Sequence, residues 1–139
     1  MGAGFELRAD IAKVDQGRRL VFGWGNVCTV GGRLVKDLHD DVIPANELEE
    51  AAYCFVLNVR EAGDAHMRRT GVGKLVESVF FSVEKQRAIG IDLGFEAWWL
   101  GFRVDDDTVW AKVRSGAYKS FSIGGTAATS YADATGVVG

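Results

Sequence analysis

Only two histidines occur in this chain, so the search for a general base that titrates near neutral pH is short. His66 lies in GDAHMRRTGVG, a polar stretch flanked by glycines. An imidazole there is exposed enough to titrate and near enough to the apolar run that follows to be held in place. The same surroundings suit a surface histidine with no role. His39 sits among aspartates in KDLHDDVIP; with no second histidine or cysteine beside it, that cluster lacks the donors of a zinc site. The nucleophile such a base would activate is sought in KSFSIGG, residues 119–125. A serine hydroxyl needs an adjacent base, because it is barely nucleophilic at neutral pH. On a strand, Ser120 and Ser122 face one way and Phe121 the other. Ser122 is the better placed, since Gly124 and Gly125 allow a sharp turn that aims N–H groups at a developing oxyanion. Taken alone, the stretch is equally an ordinary strand end.

Other chemistries find no footing. The sequence has no G-x-S-x-G elbow, P-loop, dinucleotide fingerprint, CxxC or HExxH, so neither a metal nor another cofactor is expected. A net charge of −3, with Lys and Arg scattered along the chain, gives no basic field for nucleic acid. No apolar run has the length of a membrane span, and no signal peptide opens the chain. Cys28 and Cys54 read as reduced thiols, with a single disulfide left open. The 139 residues suffice for one core without staples, and 18 glycines against one proline suit a β-rich fold with many tight turns.

The elements that must position these groups can be read from periodicity. FELRADIAKV (5–14) and RRLVFGWGNVC (18–28) alternate as strands joined at DQG, and TVGGRLVKD (29–37) reads as a loop or bulged connection. Leu48, Ala51, Ala52, Phe55, Val56 and Val59 form one apolar stripe, which predicts a helix over 45–60 with Pro44 at its entrance. GKLVESVFFSVE (73–84) is apolar on both faces, as a central strand would be, and places Glu77 on an apolar face. QRAIGIDLGFE (86–96) reads as a loop and AWWLGFRV (97–104) as an aromatic strand. DDDTVWAKVRSG (105–116) reads as a short capped helix, its aspartates a helix start rather than a metal site. YKSFSI (118–123) closes the series as a strand. Residues 1–125 are expected to form one domain and 126–139 a flexible tail of small polar residues.

Five segments in order carry a resemblance: DLHDDVIPANELEEAA (37–52), AHMRRTGVGKLVES (65–78), WWLGFRV (98–104), VWAKVRSG (109–116) and SFSIGG (120–125). Across roughly residues 20–127 the chain resembles the XkdF-like serine proteases of tailed phages, relatives of the prohead maturation proteases and, more remotely, of herpesvirus assemblins. The resemblance implies a mainly β, α+β fold of the herpesvirus-protease type, a small barrel of about six strands with two helices. It implies Ser122 as nucleophile and His66 as general base. Backbone N–H groups near Gly124, or an arginine, would hold the oxyanion. It further implies phage scaffold and major capsid proteins as substrates, action inside the procapsid in the host cytoplasm, and a possible homodimer. A third catalytic member is left open among Asp41, Glu77, His39 and Asp133. Asp40 stands where relatives carry glycine. The alternative is a procapsid assembly module of the same fold with incomplete catalysis.

Overall fold

The computed structural model describes residues 5–30, 33–34, 43–64 and 69–123. Seven strands and three helices occur among them: β1 Phe5–Asp15, β2 Leu20–Val30, β3 Arg33–Leu34, α1 Ala45–Asn58, β4 Glu61–Asp64, β5 Arg69–Phe81, α2 Val83–Ile89, β6 Ala97–Arg103, α3 Asp107–Arg114 and β7 Ser120–Ser122. Every pairing is antiparallel. The sheet runs β1-β7-β4-β5-β6-β2, and β2 pairs back with β1. Six strands therefore close into a barrel, with β3 a short addition beside the end of β2. Closure gives each of these six strands a partner on both sides, which is how a small β domain limits the backbone donors and acceptors it exposes.

Alternation decides which side chains fill the barrel. Leu7 and Ala9 of β1, Trp98, Leu100 and Phe102 of β6, and Phe121 of β7 are buried inside. Arg8, Asp10, Trp99, Ser120 and Ser122, one position out of phase, face outward. Two glycines permit the tight wall. A Cβ on Gly23 would stand 1.9 Å from the Asp10 carbonyl oxygen, and one on Gly25 2.5 Å from the Trp98 ring. Beside Gly23 the β1–β2 register shifts between Ile11 and Lys13, a bulge that bends β1.

The helices pack as the apolar stripes require. α1 buries Ala51, Ala52 and Phe55, and the Phe55 ring meets Trp98 and Phe102 edge-on at 5.7 and 6.1 Å. Trp98 donates through Nε1 to the Ser78 hydroxyl at 2.9 Å, so its one polar atom is met inside the core. α3 is capped by Asp106, whose carboxylate accepts from the Val109 N–H at 3.0 Å, and it buries Val109, Trp110 and Val113. The aspartate run thus starts a helix, as its spacing predicts.

Two expectations are corrected, and one strand appears where the sequence shows none. Residues 86–89 are not loop but the end of α2, capped by the Ser82 hydroxyl at the start and by Gly90 at φ +77° at the end. Seven residues with only Gln86 buried give no periodicity to read. β4 lies in a stretch without strand alternation and is held as a strand by β5 and β7 on its two sides. Glu77 shares the outer face with Val79 and the Phe22–Gly101 row but not with Leu75, and it is exposed. Between Leu75 and Glu77 the β5–β6 register shifts by a bulge at Val76, which turns Ser78 and Phe80 inward and Glu77 and Val79 outward. Cys54 is a free thiol. The expected tail, 126–139, lies outside the described residues.

Candidate functional site

β7 is only three residues long, yet it sits between β1 and β4 and closes the barrel. Phe121 and Ile123 anchor it, 2% and 0% exposed, while Ser120 and Ser122 are half-buried on the outer face. The alternation read from KSFSIGG is therefore present, with Phe121 as the inward residue.

Hydrogen bonding fixes what stands beside each serine. The Ile123 N–H donates to the Leu7 carbonyl at 3.0 Å and the Ile11 N–H to the Lys119 carbonyl at 2.9 Å. In an antiparallel ladder these bonds mark alternate residue pairs, and the pairs between them are the close, non-hydrogen-bonded ones. Arg8 opposite Ser122 and Asp10 opposite Ser120 are of this second kind. Their side chains share the outer face, with Cβ atoms about 4.5–5.5 Å apart. On its other side, Ser122 pairs with Gly63 of β4, which brings no side chain. Asn26 of β2 completes the row beyond Arg8.

This row is polar and braced. The Arg8 Nε donates to Asp10 Oδ1 at 3.0 Å, and the Asn26 Nδ2 donates to Asp10 Oδ2 at 2.6 Å. Asn26 also donates to the Trp24 carbonyl at 3.3 Å. Both carboxylate oxygens of Asp10 are thus occupied, and Arg8 is held by one nitrogen of its fork. Among the described residues no side chain hydrogen-bonds the Ser122 hydroxyl. Sequence reading does not single out Arg8 and Asp10; the only trace of them is their alternation with Leu7 and Ala9 in FELRAD.

His66, His39, Asp41, Gly124, Gly125 and Asp133 lie outside the described residues. The chain does place the strands around His66: β4 ends at Asp64, β5 begins at Arg69, and these two residues pair. Glu77, one of the acids considered as an orienting group, lies eight residues along β5 from Arg69. At about 3.3 Å per residue that is roughly 25 Å from where the β4–β5 connection joins the strand. Among the described residues no cluster of three or more His, Cys, Asp or Glu could hold a metal ion.

Compared with known proteins, the chain matches over residues 8–131 the family described as "Putative phage serine protease XkdF". Two curated relatives from Bacillus subtilis (strain 168) align with it over 93 residues, 67% of this chain. One, "Phage-like element PBSX protein XkdF", is 31% identical, and 33% of its length is covered. The other, "Uncharacterized protein YqbD", is 30% identical, with 28% of its length covered. The chain thus spans about a third of the length of these relatives. No solved structure matches it.

Proposed function

The chain belongs to the phage serine protease XkdF family, and from that premise we propose that it is a serine endopeptidase of prohead maturation, with Ser122 as nucleophile and His66 as general base. The observation that carries this reading is the ladder at β7. Ser122 faces outward on a strand paired with β4 at Gly63, and β4 ends at Asp64, two residues before His66. A serine on a rigid strand, beside the strand whose next residues in sequence include His66, is what supports a Ser–His pair in this reading.

In this reading His66 takes the proton from the Ser122 hydroxyl as its oxygen adds to the scissile carbonyl carbon. The tetrahedral intermediate collapses with loss of the amine, which receives that proton from the imidazolium. Water, deprotonated by His66, then adds to the acyl-enzyme, and the acid product leaves as Ser122 regains its proton. The substrates are phage scaffold and major capsid proteins, and the site of action is the procapsid in the host cytoplasm.

A procapsid assembly module of the same fold is favoured by a different observation. The outer face of β2 and β6 carries Trp24 and Trp99 in edge contact at 4.8 Å, with the exposed Phe95 ring against Trp24 at 5.7 Å. An apolar patch of this kind suits protein contact. Separate Ser122→Ala and His66→Ala variants distinguish the two readings, with cleavage of co-expressed scaffold followed by intact mass. Loss of cleavage in both supports the protease; cleavage at the parent rate in either removes that residue from the mechanism.

A further inference from the structure

Arg8 has no part in the proposed chemistry, yet it is the residue placed directly across from Ser122. It is paired with that serine in the close, non-hydrogen-bonded register, on the same outer face. Its direction is set as well as its place. The Asn26 amide holds one oxygen of Asp10, and the other oxygen holds Arg8 Nε. The guanidinium is drawn along β1 towards Asp10 and so lies towards the Ser120 row, one side-chain repeat from Ser122. Its side chain is 47% exposed and Asp10 engages it through Nε, so among the described residues the terminal nitrogens of the fork remain available to a ligand.

A peptide lying extended over this face, with its scissile carbonyl at Ser122, advances about 3.3 Å per residue. One repeat along β1 is two residues, so the substrate side chain that meets Arg8 stands about two residues from the scissile bond. A guanidinium with free terminal nitrogens and a fixed plane binds a carboxylate in preference to any neutral group. We propose that Arg8, positioned by Asp10 and Asn26, is a specificity determinant of this protease, selecting substrates with an acidic side chain about two residues from the cleaved bond. This rests on the assignment of Ser122 as nucleophile.

The test uses the full chain with a proteome-derived peptide library, cleavage sites being read by mass spectrometry. The parent is expected to favour Asp or Glu about two residues from the cut. For one such peptide, replacing the acid by its amide lowers kcat/KM about tenfold, chiefly through KM, because contact with a remote side chain is made in the ground state and transition state alike. Arg8→Gln removes that discrimination, Arg8→Lys keeps part of it, and Arg8→Glu transfers the preference to Lys or Arg at the same position. Asp10→Asn weakens the preference by releasing the guanidinium. Identical preferences in the parent and in folded Arg8→Gln and Arg8→Glu overturn the proposal while leaving Ser122 in place. A fall in kcat with unchanged preference overturns it too. Labelling of the parent by a serine-directed fluorophosphonate tests the underlying assignment separately: no adduct at Ser122 overturns both.

Discussion

Replacing Gly23 by alanine should distort the wall that carries the serine row. The added Cβ would stand 1.9 Å from the Asp10 carbonyl oxygen and 2.7 Å from its carbon, where real Cβ atoms keep at least 3.0 Å. The obstacle is backbone, so no rotamer change relieves it; β1 and β2 must part by about 1 Å beside a bulge that already interrupts their register. Parting the strands weakens one or two ladder hydrogen bonds, each worth about 1 kcal/mol net, and over-packing itself costs about 1–3 kcal/mol. A loss of about 3 kcal/mol or more is expected. Gly25→Ala is the internal control, because its Cβ would meet the Trp98 and Leu100 side chains instead, at 2.5 and 3.0 Å, and side chains can shift. It should cost less than Gly23→Ala. Urea unfolding at constant m-value measures both. Asp10 is the atom group struck, so Gly23→Ala should also loosen the Asp10–Arg8 pair and blunt any acidic-substrate preference. A Gly23→Ala variant within about 1 kcal/mol of the parent would refute the reasoning, since a cost so small falls below that of ordinary over-packing.

Gln86 is buried, and its amide donates to the Phe81 and Phe95 carbonyls at 3.0 and 2.9 Å and accepts from the Leu93 N–H at 2.7 Å. Gln86→Ala leaves three backbone groups for water to reach through the open groove beside Val83 and Phe95, and should cost about 2 kcal/mol by denaturant melts, with faster exchange of the Leu93 amide. Lys85 ties α1 to α2 through Glu49 Oε2 and the Tyr53 hydroxyl, each at 2.7 Å. The Lys85 hydrogen bond is the main cause that lowers the Glu49 pKa, burial opposing it. Stability from Glu49 is therefore complete above the ordinary carboxylate range and lost as pH falls through the lowered value. For Lys85, burial acts against the ammonium, but its bonds to Glu49 and Tyr53 outweigh burial and raise its pKa. Its contribution is complete below the ordinary lysine value and lost as pH rises through the raised one. Lys85→Met should flatten both limbs of a stability–pH profile and cost no more than about 1 kcal/mol at neutral pH, since the pair is partly exposed.

The periodic elements were legible without coordinates. The stripe from Leu48 to Val59 fixes both the existence of α1 and its buried face, because a helix with one apolar side has only one way to meet a core. FELRAD and SFS likewise reveal their inward residues by alternation alone. Capping signals marked α3, and the same signals were present at Ser82 and Gly90 for α2. They are overridden by the apolar run of β5, which in sequence terms continues through Val83. β4 shows nothing of itself, since a four-residue strand is made by its neighbours. Simple alternation puts Leu75 and Glu77 on one face for a related reason. Face assignment by alternation assumes an uninterrupted strand, and one bulged residue reverses it.

Of the candidate site, the order of the five family-like segments singled out Ser122 and His66, which local sequence alone left beside ordinary readings. Which residues stand beside Ser122 is a matter of strand pairing between segments more than a hundred residues apart, from Arg8 to Ser122, and no local pattern encodes it. Sequence determined the chemistry on offer and the inward and outward faces, since both follow from side-chain type and backbone period. Tertiary structure alone decided that β7 lies between β1 and β4, that Arg8 faces the serine, and that Glu77 does not, because register is set by the closure of the whole barrel.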